Sequence, residues 1–144
     1  SYQAQVLPYR RGVVVDEAKR RPYDPSFFPS EGLNSNIYDL SYWLIATLNH
    51  NSQLLSEESF NAMLIPEVKT SWGDIYIGLG WQVYSEKNIP IARHLGSVRG
   101  FKSLLKSYPK SRRAIIVLSN SSGTPRKEIA NEIEAYLIES KYWD

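Results

Sequence analysis

The stretch IYIGLGWQVYSEKNIPIARHLGSVRGF, residues 75–101, decides how the rest of the chain is read. Its first part alternates: Ile75, Ile77, Leu79, Trp81 and Val83 point one way, and Tyr76, Gly78, Gly80, Gln82 and Tyr84 the other. Period-two alternation rich in β-branched and aromatic residues predicts a half-buried strand over 76–84. Ser85 to Asn88 is polar and turn-like, and Ile89 to His94 reads as a returning strand. Pro90 has no backbone donor, which predicts that this strand lies at a sheet edge or begins there. It leads into His94-Leu-Gly-Ser97 and then Gly100-Phe101. Glycines in such a place suggest backbone that something else approaches closely.

Outward from this stretch, Phe101–Tyr108 and Arg113–Ser119 predict two more strands, joined by a turn at Pro109–Arg112. Ala114–Leu118 is uniformly apolar, which predicts a central strand covered on both faces. A helix is expected from Asn36 to about Asn49, capped by Ser35 or Asn36, with Asp39 at the positive end of its dipole. Ile37, Leu40, Trp43, Leu44, Thr47 and Leu48 form its apolar stripe. Ser56 predicts the cap of a shorter helix reaching about Leu64, stopped by Pro66. The last helix is expected over Pro125–Glu139, with Thr124 as cap and Pro125 in its first position. Its packing face is Ile129, Ala130, Ile133, Tyr136 and Leu137. The fold class is therefore α+β: an antiparallel meander of four to five strands, a C-terminal helix across it, and two helices before it. Residues 1–35, broken by Pro8, Pro22, Pro25 and Pro29, are an irregular segment, and 36–144 form the helix-and-sheet part. Within the irregular segment, Gly12–Val15 is a short strand candidate and Lys19-Arg-Arg21 reads as a solvated basic cluster.

Composition narrows the function. The chain has 144 residues, 42% hydrophobic and 22% charged, as a single globular domain would. A formal net charge of +2, scattered along the chain, argues against nucleic acid as a partner. The absence of cysteine excludes disulfides and cysteine-zinc sites. No apolar run approaches the ~18 residues of a membrane span. No metal-ligand cluster, phosphate loop or dinucleotide fingerprint is visible, so neither metal nor cofactor is expected. His50, in a polar Asn-His-Asn loop, reads as a surface residue. Trp43 and Trp81 fall on apolar stripes and are expected in the core, Trp72 in a loop, and Trp143 only partly buried.

The motifs GLGW, then H-x-G-S-x-x-G-F, then an apolar strand ending in Leu-Ser-Asn, resemble the C-terminal part of the class C beta-lactamase-like serine hydrolases. That group includes penicillin-binding proteins, D-alanyl-D-alanine carboxypeptidases and esterases. His94-Leu95-Gly96 matches the family's Lys/His-Thr-Gly motif. Gly32-Leu-Asn-Ser35 with Tyr38-Asp-Leu40 resembles its Gly-Gly-x-x-Ser-Thr-x-x-Asp-Leu helix start, and Leu54–Glu58 its Leu-Leu-Ser-x-Glu segment. The resemblance implies an acyl-transfer site in which His94 is catalytic and the Ser97 N–H is one oxyanion donor. Gly96 would leave room for substrate, and Arg99 could offer a carboxylate a forked donor. Tyr23, Phe27 and Phe28 could line the cleft. Leu95 replaces the usual threonine, which turns the expectation from β-lactams toward an ester, amide or peptide substrate.

The family's nucleophile motif, Ser-x-x-Lys at a helix start well before the third motif, does not occur. Ser103-Leu-Leu-Lys106 and Ser107-Tyr-Pro-Lys110 have the spacing but follow the third motif. On a strand, Ser103 and Lys106 would face opposite sides. The resemblance therefore implies a C-terminal segment that cannot form an acyl-enzyme alone. Its partners would be an N-terminal part of the same protein, a small-molecule or peptide substrate, and copies of itself through bare surfaces. A non-catalytic binding or assembly module, or half of a split enzyme, are the alternatives. The compartment stays open, periplasmic or secreted if the family's habit holds.

Overall fold

The computed structural model describes residues 6–16, 25–27, 30 and 33–142. Expectations for Lys19–Arg21, Tyr23, Phe28, Gly32 and Trp143 lie outside the described residues. The elements are β1 (Tyr9–Arg10), β2 (Val13–Val14), α1 (Ile37–Leu48), α2 (Glu57–Met63), β3 (Val68–Lys69), β4 (Tyr76–Ile77), β5 (Gln82–Glu86), β6 (Ile89–Val98), β7 (Phe101–Tyr108), β8 (Arg113–Ser119) and α3 (Arg126–Glu139). Strands β3 to β8 form one six-stranded sheet in chain order, every pair antiparallel. The meander from 76 to 119 is as expected, with two short strands at its start. Among the described residues no helix is long and apolar enough to cross a membrane.

The long alternating strand expected over 76–84 is interrupted. Gly78 to Gly80 leave the ladder, and Leu79 is 59% exposed although it shares a stripe with the buried Trp81 and Val83. The cause is backbone. The Leu79 N–H donates to the Met63 carbonyl at the end of α2 (3.0 Å), and a Cβ on Gly78 would meet that oxygen at 2.5 Å. The Gly-x-Gly run thus lets a helix end sit against the strand, and Gly80, at φ +78°, turns the chain back into β5.

The sheet carries two apolar layers. On one face Ile91, Leu104, Tyr108, Ile115 and Val117 pack with Ala130 of α3. On the other, Leu44 of α1 packs with Trp81, Val83 and Ala92. Asn36 caps α1 by accepting from the N–H groups of Tyr38 and Asp39, and Ser56 caps α2 through the Ser59 N–H. α3 begins one residue later than expected: Pro125 is its N-cap, and the Thr124 hydroxyl bonds Ser119 Oγ instead of capping the helix.

Several side chains depart from the sequence reading. β8 is covered on both faces, but among the described residues it is the last strand of the six-stranded sheet, with only Tyr9 bridging to Ser121 just past its end. Trp43 stacks on Trp81, ring centroids 5.7 Å apart, yet remains exposed on its outer side. Tyr38, Tyr42 and Ile45 give α1 a second apolar face that is open, Tyr42 being 72% exposed. Ile133 and Tyr136 of α3 also face outward, because the side of the helix that meets the sheet runs through Arg126, Ile129, Ala130 and Glu134. His50 is half-buried, its ring stacked on Phe60 at 5.2 Å.

Lys106 is the least expected core residue, at 2% exposure. Its ammonium meets Glu134 of α3 at 2.6 Å and Glu86 at 3.5 Å, and sits 5.5 Å from the Tyr108 ring centroid. Burial, then the neighbouring Glu134, raises the Tyr108 phenol far above its ordinary range. Breaking such a pair from one side strands a charge, whereas replacing both partners does not. We predict that Glu134→Ala lowers unfolding stability by about 3–5 kcal/mol in urea titrations, and that adding Lys106→Met to it recovers most of the loss. A loss for the double variant equal to that of Glu134→Ala would contradict this account.

Candidate functional site

The residues singled out from the sequence lie on the second half of β6 and its turn into β7. β6 changes partners along its length: residues Ile89–Arg93 face β5, and Ala92–Val98 face β7. Lys87 and Asn88 both have positive φ (50° and 65°), the twist a two-residue hairpin turn requires. Arg99-Gly100 makes the second tight turn, with Gly100 at φ +87°.

Residues opposite each other in an antiparallel pair alternate between exchanging both backbone bonds and exchanging neither. A two-residue turn is closed by a bonded pair. Counting from Glu86–Ile89, the bonded pairs across β5 and β6 are Tyr84–Ile91 and Gln82–Arg93. Counting from Val98–Phe101, the bonded pairs across β6 and β7 are Gly96–Ser103, His94–Leu105 and Ala92–Ser107. The two counts agree. Even-numbered residues of this segment turn their backbone to β7, and odd-numbered ones turn it the other way. β5 begins opposite Arg93, so the N–H and C=O of Leu95 and Ser97 face past its end, toward no strand. Among the described residues no loop carbonyl takes those two N–H groups.

The same register disposes of Pro90. Ser85–Pro90 is a non-bonded pair, so the missing N–H lies on the β7 side, where pairing begins only at Ala92. Pro90 therefore sits in an interior strand at no cost, and the expected edge applies to residues 94–98 instead.

His94 shares a sheet face with Ala92 and Leu105, the face α1 and α2 cover, but is itself exposed. Gly96 lies on the same face beside Ser103; a Cβ there would meet Ser103 Oγ at 2.1 Å. A side chain at 96 would have to displace the Ser103 hydroxyl, whose own Cβ stands at an ordinary 3.4 Å. The side chains of Leu95 and Ser97 point to the α3 face, where Ser97 Oγ accepts from Lys102 Nζ. Ser97 therefore offers the open edge its backbone, with its hydroxyl engaged elsewhere. Arg99 is exposed in the turn beyond Val98. Phe27 is exposed.

Ser103 and Lys106 fall on opposite faces, as their strand spacing requires: the serine beside Gly96, the lysine buried against Glu134. Ser107 is buried and Lys110 exposed in the following turn. Neither serine has a lysine beside it. A cavity of about 420 Å³ lies between Arg10, Arg11 and Ser121–Thr124, away from His94. Among the described residues no group of three or more His, Asp or Glu could hold a metal.

One residue that sequence reasoning missed reaches this edge from α3. Arg126 Nη1 donates to the Gly96 carbonyl at 2.9 Å, across 30 positions of sequence. No local signal could reveal it.

The antiparallel meander, with α1 and α2 on one face and α3 on the other, leaves the second half of β6 open on one side. The chain matches the Beta-lactamase family over residues 2–138, and it belongs to that family. It is similar to the octameric penicillin-binding protein homologue from Pyrococcus abyssi, with 27% identity and a TM-score of 0.68 over 73% of this chain and 24% of that one. It also shares its fold with the penicillin binding protein from Bacillus halodurans, with 24% identity and a TM-score of 0.60 over 69% of this chain and 29% of that one. The chain thus spans about a quarter of these relatives. No curated protein matches it.

We predict an alternating pattern of amide hydrogen exchange along β6. His94 and Gly96 should be protected as ladder residues, while Leu95 and Ser97 exchange far faster. Equal protection at Gly96 and Ser97 in NMR exchange spectra would refute the register argument.

Proposed function

We propose that this chain is the C-terminal part of a beta-lactamase-like serine hydrolase that transfers acyl groups from an amide or ester substrate. The nucleophile and its base come from polypeptide outside residues 1–144. The observation that carries this reading is the open backbone of Leu95 and Ser97 beside the exposed His94, in a member of the beta-lactamase family.

Each residue then has a role that its chemistry permits. The Ser97 N–H, bonded to nothing in the strand ladder, stabilises negative charge as it develops on the substrate carbonyl oxygen. His94, exposed at the edge, offers the reacting centre an imidazole that can donate or accept a hydrogen bond. Gly96 keeps the strand flat where substrate lies, and Arg99 meets an acidic group on it. Leu95 carries no hydroxyl for a substrate carboxylate, so the reading favours a small-molecule or peptide ester or amide over a β-lactam.

Surfaces point to the missing part as well. The Tyr38, Tyr42 and Ile45 face of α1 is apolar and open, and the second half of β6 is a bare strand edge; both kinds of surface invite partners. In the complete protein the rest of the domain covers them. In the isolated chain a second copy does, in keeping with the octameric Pyrococcus abyssi relative. Light scattering over a concentration series should show association that Tyr42→Lys with Ile45→Lys weakens; a strictly monomeric chain would count against these bare surfaces.

Labelling tests the catalytic reading. The chain alone should leave fluorophosphonate and penicillin-type probes unreacted, since an activated serine needs an adjacent base. Joined to the polypeptide encoded immediately upstream, it should give one labelled serine, in a Ser-x-x-Lys at a helix start. In that assembly His94→Ala should lower kcat by about 10²-fold or more. Stoichiometric labelling of Ser103 or Ser107, or full turnover without His94, would overturn the assignment.

A further inference from the structure

The bond from Arg126 to Gly96 falls on one peptide unit. Gly96 C=O and Ser97 N–H are the two ends of the same amide, and they point in opposite directions. The carbonyl end is bonded to β7 and to Arg126, and the N–H end looks out of the open edge. We propose that Arg126 is a positioning residue that fixes and polarises the Gly96–Ser97 peptide, strengthening the Ser97 N–H as a hydrogen-bond donor. This rests on the reading that Ser97 N–H is an oxyanion donor.

Three observations support it. First, Arg126 makes no ion pair among the described residues, and its Nε is buried without a hydrogen-bond partner. The guanidinium is therefore not held there to neutralise a carboxylate. Among the described residues the guanidinium bonds the Gly96 carbonyl. Second, the bond is partly buried, where a charge polarises its partner more than in water. A cation at the carbonyl oxygen draws electrons through the conjugated amide and leaves the nitrogen and its proton more positive. That is the sense needed to meet an oxyanion, and a guanidinium keeps its charge at any working pH. Third, the approach is rigidly built. Ser119 Oγ holds Thr124 Oγ1 and the Ser121 N–H, and the Gly100 N–H donates to Ser122 Oγ at 2.8 Å. These bonds tie the β8–α3 loop to the β6–β7 turn, so the first residue of α3 and the end of β6 cannot drift apart.

The test has two arms. In the isolated chain, NMR should show the Gly96 carbonyl ¹³C and Ser97 amide ¹⁵N shifting upfield in Arg126→Met, with Arg126→Lys in between and the Ile115 and Val117 amides unmoved. In the chain joined to its nucleophile-bearing polypeptide, Arg126→Met should lower kcat about tenfold with KM little changed, and Arg126→Lys should restore part of it. That loss is smaller than the ~10²–10³ of losing an oxyanion donor outright, which Ser97→Pro should produce. Unmoved Gly96 and Ser97 resonances would overturn the proposal whatever the activity. Shifted resonances with wild-type kcat in Arg126→Met, while Ser97→Pro is inactive, would overturn it and leave the oxyanion reading intact. Full activity in Ser97→Pro would instead sink that reading itself.

Discussion

Two tight turns, Lys87-Asn88 and Arg99-Gly100, set the hydrogen-bond parity of β6 from both ends. Each is closed by a directly opposed pair, and both fix the same phase for the residues between them. Had either turn one residue more, the phases would conflict, and a bulge would be needed to reconcile them. Because side chains and backbone groups alternate together, this phase also decides which residues reach the helices. Ile91 and Leu95 join α3, Ala92 joins α1, and the N–H of Ser97 looks into open space. The candidate site is thus a consequence of strand registry and not of any local feature of residues 94–97.

That dependence explains what could be seen in the sequence. Strands β7 and β8 and helices α1 and α2 were legible because alternation, helical stripes and caps such as Asn36 and Ser56 are local. So was the family, through motif order. The break at Gly78–Gly80 was not, since its cause is a carbonyl at the end of α2, 16 positions earlier in the chain, at Met63. The place of β8 as the last strand of the sheet among the described residues was not legible either. A strand covered on both faces reads as central whether or not a neighbour flanks it. Likewise, Trp43 lies on a true apolar stripe, but a stripe cannot say that the helix has two apolar faces and only one is covered.

The polar contacts across the sheet were the most hidden. Lys106–Glu134 and Arg126–Gly96 span 28 and 30 positions. Both join a strand to α3, and both use long side chains whose usual place is solvent. Lys106 even sits in a spacing that imitates a catalytic motif. Its burial against Glu134 gives it a structural occupation that explains its presence without one.

These two contacts have a joint consequence. Apolar packing is non-directional, so a helix resting on a sheet through Ala130 and Ile129 alone could slide or roll at modest cost. Lys106 removes that freedom, because its ammonium is satisfied at one setting of α3 only. From Glu134 back to Arg126 is eight residues, or about 12 Å of helix at 1.5 Å per residue. α3 therefore behaves as a ruler, clamped to the sheet at one mark and carrying a guanidinium at another. A one-residue slip would rotate Arg126 by about 100° and remove it from Gly96 altogether. The salt bridge at Glu134 is in this sense the calibration of the strand edge at Gly96.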